Sequence, residues 1–283
     1  MKKILVAVLV LAMAFTMIAC AKTTETEVTE TEVVADETAA TEAPAEEAMT
    51  VLTVAVDDTY PPMEYIDENG ELVGFDVEMT LALAEKMGVE VEFISTGWDG
   101  IFAGLAAQQY DCIISSVSMT TDRLETMDFS KPYMANGQVI VVKPGDDSIA
   151  TMEDLAGKTV GVQFATTADE AADKALEVVE FEKIAYDDMT TCLTAMKAGQ
   201  VDCIVADYAV AIGAVQDDPT AYEISSVALT NEPIAIAVDK GNTALLDMLN
   251  AALDEVIADG TMSALSIKYM DVDLTQNIDT ELR

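Results

Sequence analysis

The chain has 283 residues, with 14 Lys and Arg against 52 Asp and Glu and no His, a formal charge of -38. Apolar residues make up 51%, enough for a substantial core, which excludes general disorder. The anionic balance and the lack of a basic stripe argue against nucleic acid as a partner. The absence of His removes imidazole chemistry and most zinc sites.

The first element is an address. Lys2 and Lys3 precede an apolar run from Ile4 to Ile18, followed by Ala19 and Cys20. A run that short, with a basic start and small residues at its end, reads as a signal peptide over 1–19 rather than a membrane span. Residues 20–49 read as a disordered acidic tether. Nine carboxylates from Glu25 to Glu47 repel one another, and few large apolar groups oppose them. A coil of this length spans roughly 30 Å.

From Thr50 onward strand and helix patterns alternate. Val51–Val56 is an apolar strand, Asp67–Gly70 a turn, and Asp76–Met87 a helix with Val77, Leu81, Ala84 and Met87 on one face. Gly88 stops that helix. A strand at Val89–Phe93, a helix around Trp98–Gln108 and a strand at Asp111–Ser115 follow. The order then repeats: strand Thr159–Val162, helix Thr167–Val178, helix Met189–Ala198, strand Asp202–Ala206. Gly104–Ile114 and Thr194–Val205 even share a phrase, in which a helix end, a short turn and an Asp lead into an apolar strand. Asn242 is expected to cap a helix bearing Leu245, Leu249, Leu253 and Val256, ended by Gly260. Thr261 is expected to cap a shorter one. This order predicts an α/β fold of two lobes, each with a sheet flanked by helices. The expected domains are 50–137 for the first lobe, 138–233 for the second and 234–283 for a return to the first. Stretches near Gln138–Val142 and Ile234–Val238 are expected to cross between lobes as hinge strands.

No Walker A loop and no G-x-G-x-x-G is present, and neither a cofactor nor a metal site is expected. Cys112 and Cys203 are expected buried and unpaired, at equivalent strand positions. Spacing leaves a bridge between Cys192 and Cys203 open.

Three segments gather polar residues just past strand ends, where open α/β sheets bind ligands. They are Asp57–Glu64, Ser115–Arg123 with Asp128–Tyr133, and Val160–Thr167 with Val205–Tyr208. Arg123 is one of two arginines and Trp98 the single tryptophan. A guanidinium in the first turn of a helix runs against the macrodipole and becomes favourable on holding a carboxylate. By itself it better fits a surface pair with Asp122 or Glu125. Asp207 precedes a helix, so capping and binding are both open to it. Asp57 also suits a turn, and Trp98 suits ordinary packing.

Together with Gly70–Asp76 and the Asp128–Tyr133 run, these segments resemble the extracytoplasmic solute-binding proteins of the polar amino-acid class (family 3), which feed ABC importers. The resemblance covers residues 51 to 270 and implies a two-lobed type II periplasmic-binding-protein-like fold that closes on its ligand. It places the ligand α-carboxylate on Arg123, helped by Ser118 and the amides near Thr166 and Thr167, and the α-ammonium on Asp207 and Ser116. Tyr60 and Trp98 become aromatic walls, Asp57 the side-chain acceptor, and Gln163 and Glu64 weaker candidates. Ser115, Ser116 and Val117 complete the loop, with Val117 in place of a common Met or Leu. Ala165 stands where Gly is frequent, so the backbone there must tolerate a Cβ. The resemblance also implies a permease partner, a monomer and, from the Met17–Cys20 ending, a lipid anchor on Cys20 at the outer face of the cell membrane. Ser115–Ser116 and the acidic body favour Arg, Lys or His as ligand, then Gln. Cyclohexadienyl dehydratases share this fold and form the alternative.

Overall fold

In a computed structural model, residues 49–225 and 227–282 are described. The signal, Cys20 and most of the acidic tether lie outside them. The elements run β1 (Val51–Val56), β2 (Thr59–Tyr60), β3 (Glu64–Ile66), β4 (Leu72–Val73), α1 (Phe75–Met87), β5 (Glu90–Ser95), α2 (Trp98–Ala106), β6 (Cys112–Ile113), α3 (Thr121–Thr126) and β7 (Met127–Phe129). They continue with β8 (Gln138–Val142), a 3-10 turn (Met152–Leu155), β9 (Thr159–Gln163), α4 (Thr167–Leu176), β10 (Glu182–Tyr186), α5 (Met189–Lys197), β11 (Cys203–Asp207), α6 (Tyr208–Asp217) and β12 (Glu223–Ile224). The last are β13 (Ala237–Asp239), α7 (Thr243–Ala258) and α8 (Thr261–Met270).

Two five-stranded sheets carry the fold, in orders β5-β1-β6-β13-β7 and β10-β9-β11-β8-β12. In each, three strands are parallel and the fourth reverses. The repeated phrase of the sequence has a physical counterpart at the same place in both sheets. Asp111 Oδ2 accepts from Thr53 N–H at 2.8 Å, and Asp202 Oδ2 accepts from Thr159 N–H at 2.8 Å. Each Asp satisfies a strand-end donor that the parallel ladder leaves over. A small sheet, β2-β3-β4, crowns the first one. Gly74 behind it has φ 135°, and a Cβ there would lie 2.2 Å from the Met63 carbonyl oxygen, so only glycine fits.

Sequence expectation and structure differ at three points, and the structure closes one that the sequence left open. The α1 face is rotated: Phe75, Val77, Met79, Leu83 and Ala84 are buried while Leu81 is 51% exposed. Apolar residues occupy three sides of α1, so period alone does not orient it; packing against α7 and α8 does. Thr261 is not a cap. Gly260, with φ 84°, takes that position, and Thr261 opens α8 with its N–H donating to Asp259 Oδ1. Gln138–Val142 is paired along its whole length within the second sheet, rather than crossing, and Ala237–Asp239 lies within the first. The crossings fall just before them, where Met134 bridges Ile234 and Glu232 N–H donates to the Asn136 carbonyl. Finally, Cys112, Cys192 and Cys203 are free and buried. Cys203 and Val205 join the core layer beneath α4, whereas Cys192 packs with Ile204 and Ala206 on the other side of β11. Alternation along a strand thus puts the two thiols on opposite sheet faces, and no bridge forms.

Candidate functional site

The carboxyl ends of β1, β6, β9 and β11 meet at one cavity. It spans about 270 Å³, part of it open to solvent, and is bordered by Tyr60, Trp98, Ser115, Ser116, Ser118, Arg123, Thr166, Thr167 and Asp207. Nine of the thirteen residues singled out in the sequence thus border one space. Asp57 and Gln163 lie beside it, bonded to each other at 2.7 Å. Val117 does not reach it. Its side chain is buried in the core with Trp98 and Ile101, and its carbonyl accepts from Ala235 N–H.

Arg123 lies in the first turn of α3, where Thr120 caps its N–H. Its guanidinium sits 4.7 Å from the Phe102 ring centre and 5.5 Å from that of Trp98. Nη1 donates to the Ser118 carbonyl at 3.0 Å. Among the described residues Arg123 forms no ion pair, and Asp122 and Glu125 are exposed. Burial lowers its pKa, while the charges of Glu170, Asp207 and Glu232 act in the other direction. The group stays cationic, since arginine ordinarily titrates far above neutrality. Aromatic rings and one carbonyl therefore hold the cation without neutralising it.

Asp207 presents the opposite sign. It stands at the cap position of α6, yet its carboxylate makes no cap bond. Asn136 Oδ1 from the crossing accepts from Tyr208 N–H, the first donor of α6. Asp207 Oδ2 accepts from Tyr60 Oη and Oδ1 from Gln138 Nε2, both at 2.7 Å. Burial raises its pKa, and the nearby Glu232 raises it further. Gln138 Nε2 also lies 3.1 Å from Glu232 Oε2 and 3.0 Å from Thr167 Oγ1. Phe102, Gln138 and Glu232 were not legible as site residues. Phe102 follows Trp98 by four residues and so shares its helix face, which is the one available signal. The other two come from chain crossings that only the fold brings here.

The remaining candidates are held by local geometry. Ser116 has φ 48° and Ala165 φ 61°, both in the left-handed region. Ala165 thus carries its Cβ in a conformation glycine would adopt more readily. Its carbonyl accepts from Trp98 Nε1 at 3.0 Å. Thr166 caps α4 by accepting from Asp169 N–H, so the positive end of α4 borders the cavity. Asp57 forms the turn open to it, its Oδ1 accepting from Thr59 Oγ1 at 2.6 Å, and it also spans to Gln163. Burial raises its pKa. Three hydrogen bonds, Tyr60–Asp207, Trp98–Ala165 and Gln163–Asp57, join the two sheets' layers across the cavity.

The L-cystine-binding protein TcyJ of Escherichia coli (strain K12) is 34% identical over 226 residues, covering 80% of this chain and 84% of that protein. A solved structure described as an ancestral arginine-binding protein bound to arginine is 39% identical with a TM-score of 0.75, covering 78% of this chain and 99% of that one. An ancestral amino acid-binding protein, described as a precursor of cyclohexadienyl dehydratase, is 34% identical with a TM-score of 0.72, over 78% of this chain and 95% of its own. The sequence profile of one family matches residues 52–272, and by that match the chain belongs to the bacterial extracellular solute-binding proteins, family 3.

Proposed function

We propose that this protein is the substrate-binding component of an ABC amino-acid importer, capturing a polar or basic L-amino acid and delivering it to a membrane permease. The observation that carries the reading is a cavity bordered by a guanidinium without an ion pair among the described residues and a buried carboxylate that makes no cap bond. These are the two signs needed for a zwitterion. Arg123 takes the α-carboxylate, with Ser118 and the start of α4 at Thr166 and Thr167 assisting. Asp207 and Ser116 take the α-ammonium, and Tyr60 and Trp98 enclose the rest. Asp57 and Gln163 meet the side chain, and the acids Asp57 and Glu232 around the site favour Arg, Lys or His over neutral ligands. Support for the class comes from relatives that bind cystine and arginine.

The ligand docks first on the β1 and β6 loops. The second lobe then adds Asp207 and the α4 terminus, and closure is favoured because only the closed state makes both sets of contacts. Binding alone suffices, with no covalent step and no cofactor. One copy of the chain borders the whole cavity, in keeping with a monomer. We place it outside the cell membrane, tethered by a lipid on Cys20 and by residues 21–49. No helix among the described residues is long and apolar enough to cross a membrane. A Cys20→Ala variant should leave the membrane fraction.

Calorimetry with each common L-amino acid and cystine tests the function. One polar or basic amino acid should bind with micromolar or tighter Kd, and absence of binding by all would overturn the reading.

A further inference from the structure

Two acids that form no ion pair among the described residues lie directly behind the serine wall of the cavity. Glu64 opens β3 and Asp76 stands in the first turn of α1, and neither is exposed. Ser115 Oγ donates to Glu64 Oε1 at 2.5 Å and accepts from Asp57 N–H at 3.0 Å. Ser116 N–H and Oγ both donate to Asp76 Oδ2, at 2.7 and 3.1 Å. Tyr133 Oη donates to Asp76 Oδ1 at 2.8 Å. Glu64 Oε2 is buried with no partner.

An orphaned carboxylate oxygen at this depth is costly. Burial raises the pKa of both acids, that of Asp76 to about 6, and the Asp76 charge raises Glu64 further. The other titratable groups facing the pair are Asp57, Tyr60 and Tyr133, none of them cationic. One proton on Glu64 Oε2, directed at Asp76, removes both the repulsion and the orphan. It also leaves Oε1 as the acceptor for Ser115.

We infer that Glu64 and Asp76 are positioning residues: they take the hydroxyl protons of Ser115 and Ser116, so the cavity side of both serines offers only lone pairs and selects ligand groups bearing N–H. The inference rests on the amino-acid-binding reading above and adds how its pocket distinguishes donors from acceptors. Ser115 has one lone pair left after the Asp57 N–H, and Ser116 has two. A ligand carbonyl or carboxylate at this wall meets like charge density, whereas an ammonium, guanidinium or amide N–H meets an acceptor.

Arginine and citrulline match in shape, and the urea of citrulline is neutral and carries a carbonyl acceptor in place of an N–H donor. The wild-type preference sums both differences. Its change in variants that replace a protonated, neutral Glu64 by another neutral side chain reads the donor alone. By calorimetry the wild type should prefer arginine by about tenfold or more, at least the effect of one unmatched buried polar contact. Glu64→Leu frees the Ser115 proton to turn toward the cavity, and should reduce that ratio by roughly fivefold. Glu64→Gln keeps an acceptor for Ser115 and places an amide donor where the protonated oxygen stood. It should hold the ratio within about threefold of wild type. If Glu64→Leu does not fold, Ser115→Ala serves, since removing the acceptor should lower the ratio as well. A merely structural role would shift melting temperature and both affinities together and leave the ratio alone. The inference is overturned by an unchanged ratio in Glu64→Leu or Ser115→Ala, by a Gln variant that behaves like Leu, or by a wild type that binds amino acids without preferring arginine to citrulline. Binding of no amino acid at all would overturn the function as well.

Discussion

At the scale of single residues, the proposed site depends on how two charges are kept available. Arg123 lies against Phe102 and Trp98 and donates to one carbonyl, so its remaining side-chain N–H groups are uncommitted among the described residues. Arg123→Ala should weaken ligand binding by about a hundredfold, in line with roughly 1.5–3 kcal/mol for a charge-assisted hydrogen bond. Arg123→Lys should recover only part of this, because an ammonium neither forks nor stacks as a guanidinium does. Calorimetry on both variants reads the difference, and equal affinities for wild type and Arg123→Ala would remove the carboxylate contact. Asp207 carries the opposite pole under a raised pKa, since burial disfavours its charge. Ligand affinity should accordingly begin to fall, on acidification, at a pH above that expected for an exposed Asp. Asp207→Asn should abolish that part of the pH profile while lowering affinity.

At the scale of elements, close approach between helices and loops sets closure. Gly213 lies inside α6, and a Cβ there would come within 2.5 Å of Pro62 Cδ, in the loop between β2 and β3. Alanine is the better helix former by about 1 kcal/mol, so Gly213→Ala should not lower the melting temperature through α6 itself. Its methyl should hold the layers apart, weakening ligand binding by roughly tenfold, an effect of order 1.4 kcal/mol, and enlarging the radius of gyration in X-ray scattering. A variant with native affinity would show that this contact does not limit closure. The paired aspartates give the complementary case. Asp111 Oδ2 accepts from Thr53 N–H and Oγ1, and Asp202 repeats the backbone bond in the second sheet. Asp111→Ala and Asp202→Ala should each cost about 1–2 kcal/mol of stability in urea unfolding, with ligand affinity little changed.

At the scale of the whole molecule, charge and burial act together. Asp57, Glu64, Asp76 and Asp207 all have raised pKa values because they are buried. A carboxyl whose pKa is higher folded than unfolded binds more protons in the folded state between the two values. For Asp76 that window runs from about 6 down to the ordinary 3.8, and stability rises as pH falls through it. Acidification also relieves the self-repulsion of a chain with formal charge -38. The ligand-free protein should therefore melt higher at pH 5 than at pH 7. The trend should reverse at lower pH, where paired acids such as Asp218 and Asp259, drawn down to about 2 by Lys197 and Lys86, become protonated. A steady fall in melting temperature from pH 7 to 5 would contradict this account. Trp98 supplies a second whole-molecule readout. It is the single tryptophan, and its indole N–H reaches the Ala165 carbonyl across the cavity. Ligand-dependent closure should change its emission, and a titration that leaves the spectrum fixed would argue against closure there.

The sequence by itself determined the α/β order, the repeated plan and the polar loops at strand ends, because alternation and helical period are local properties. The Asp-apolar phrase before β6 and β11 was visible for the same reason. The tertiary structure decided which face of α1 is covered, that Cys192 and Cys203 lie on opposite sides of β11, and that Val117 belongs to the core. It also decided that the Asp207 carboxylate bonds Tyr60 and Gln138 rather than capping α6. Gln138, Glu232 and the Glu64–Asp76 pair acquire their surroundings from segments distant in the chain. Hydrogen-bond partners and desolvation depend on what the fold brings near, and no local pattern encodes that.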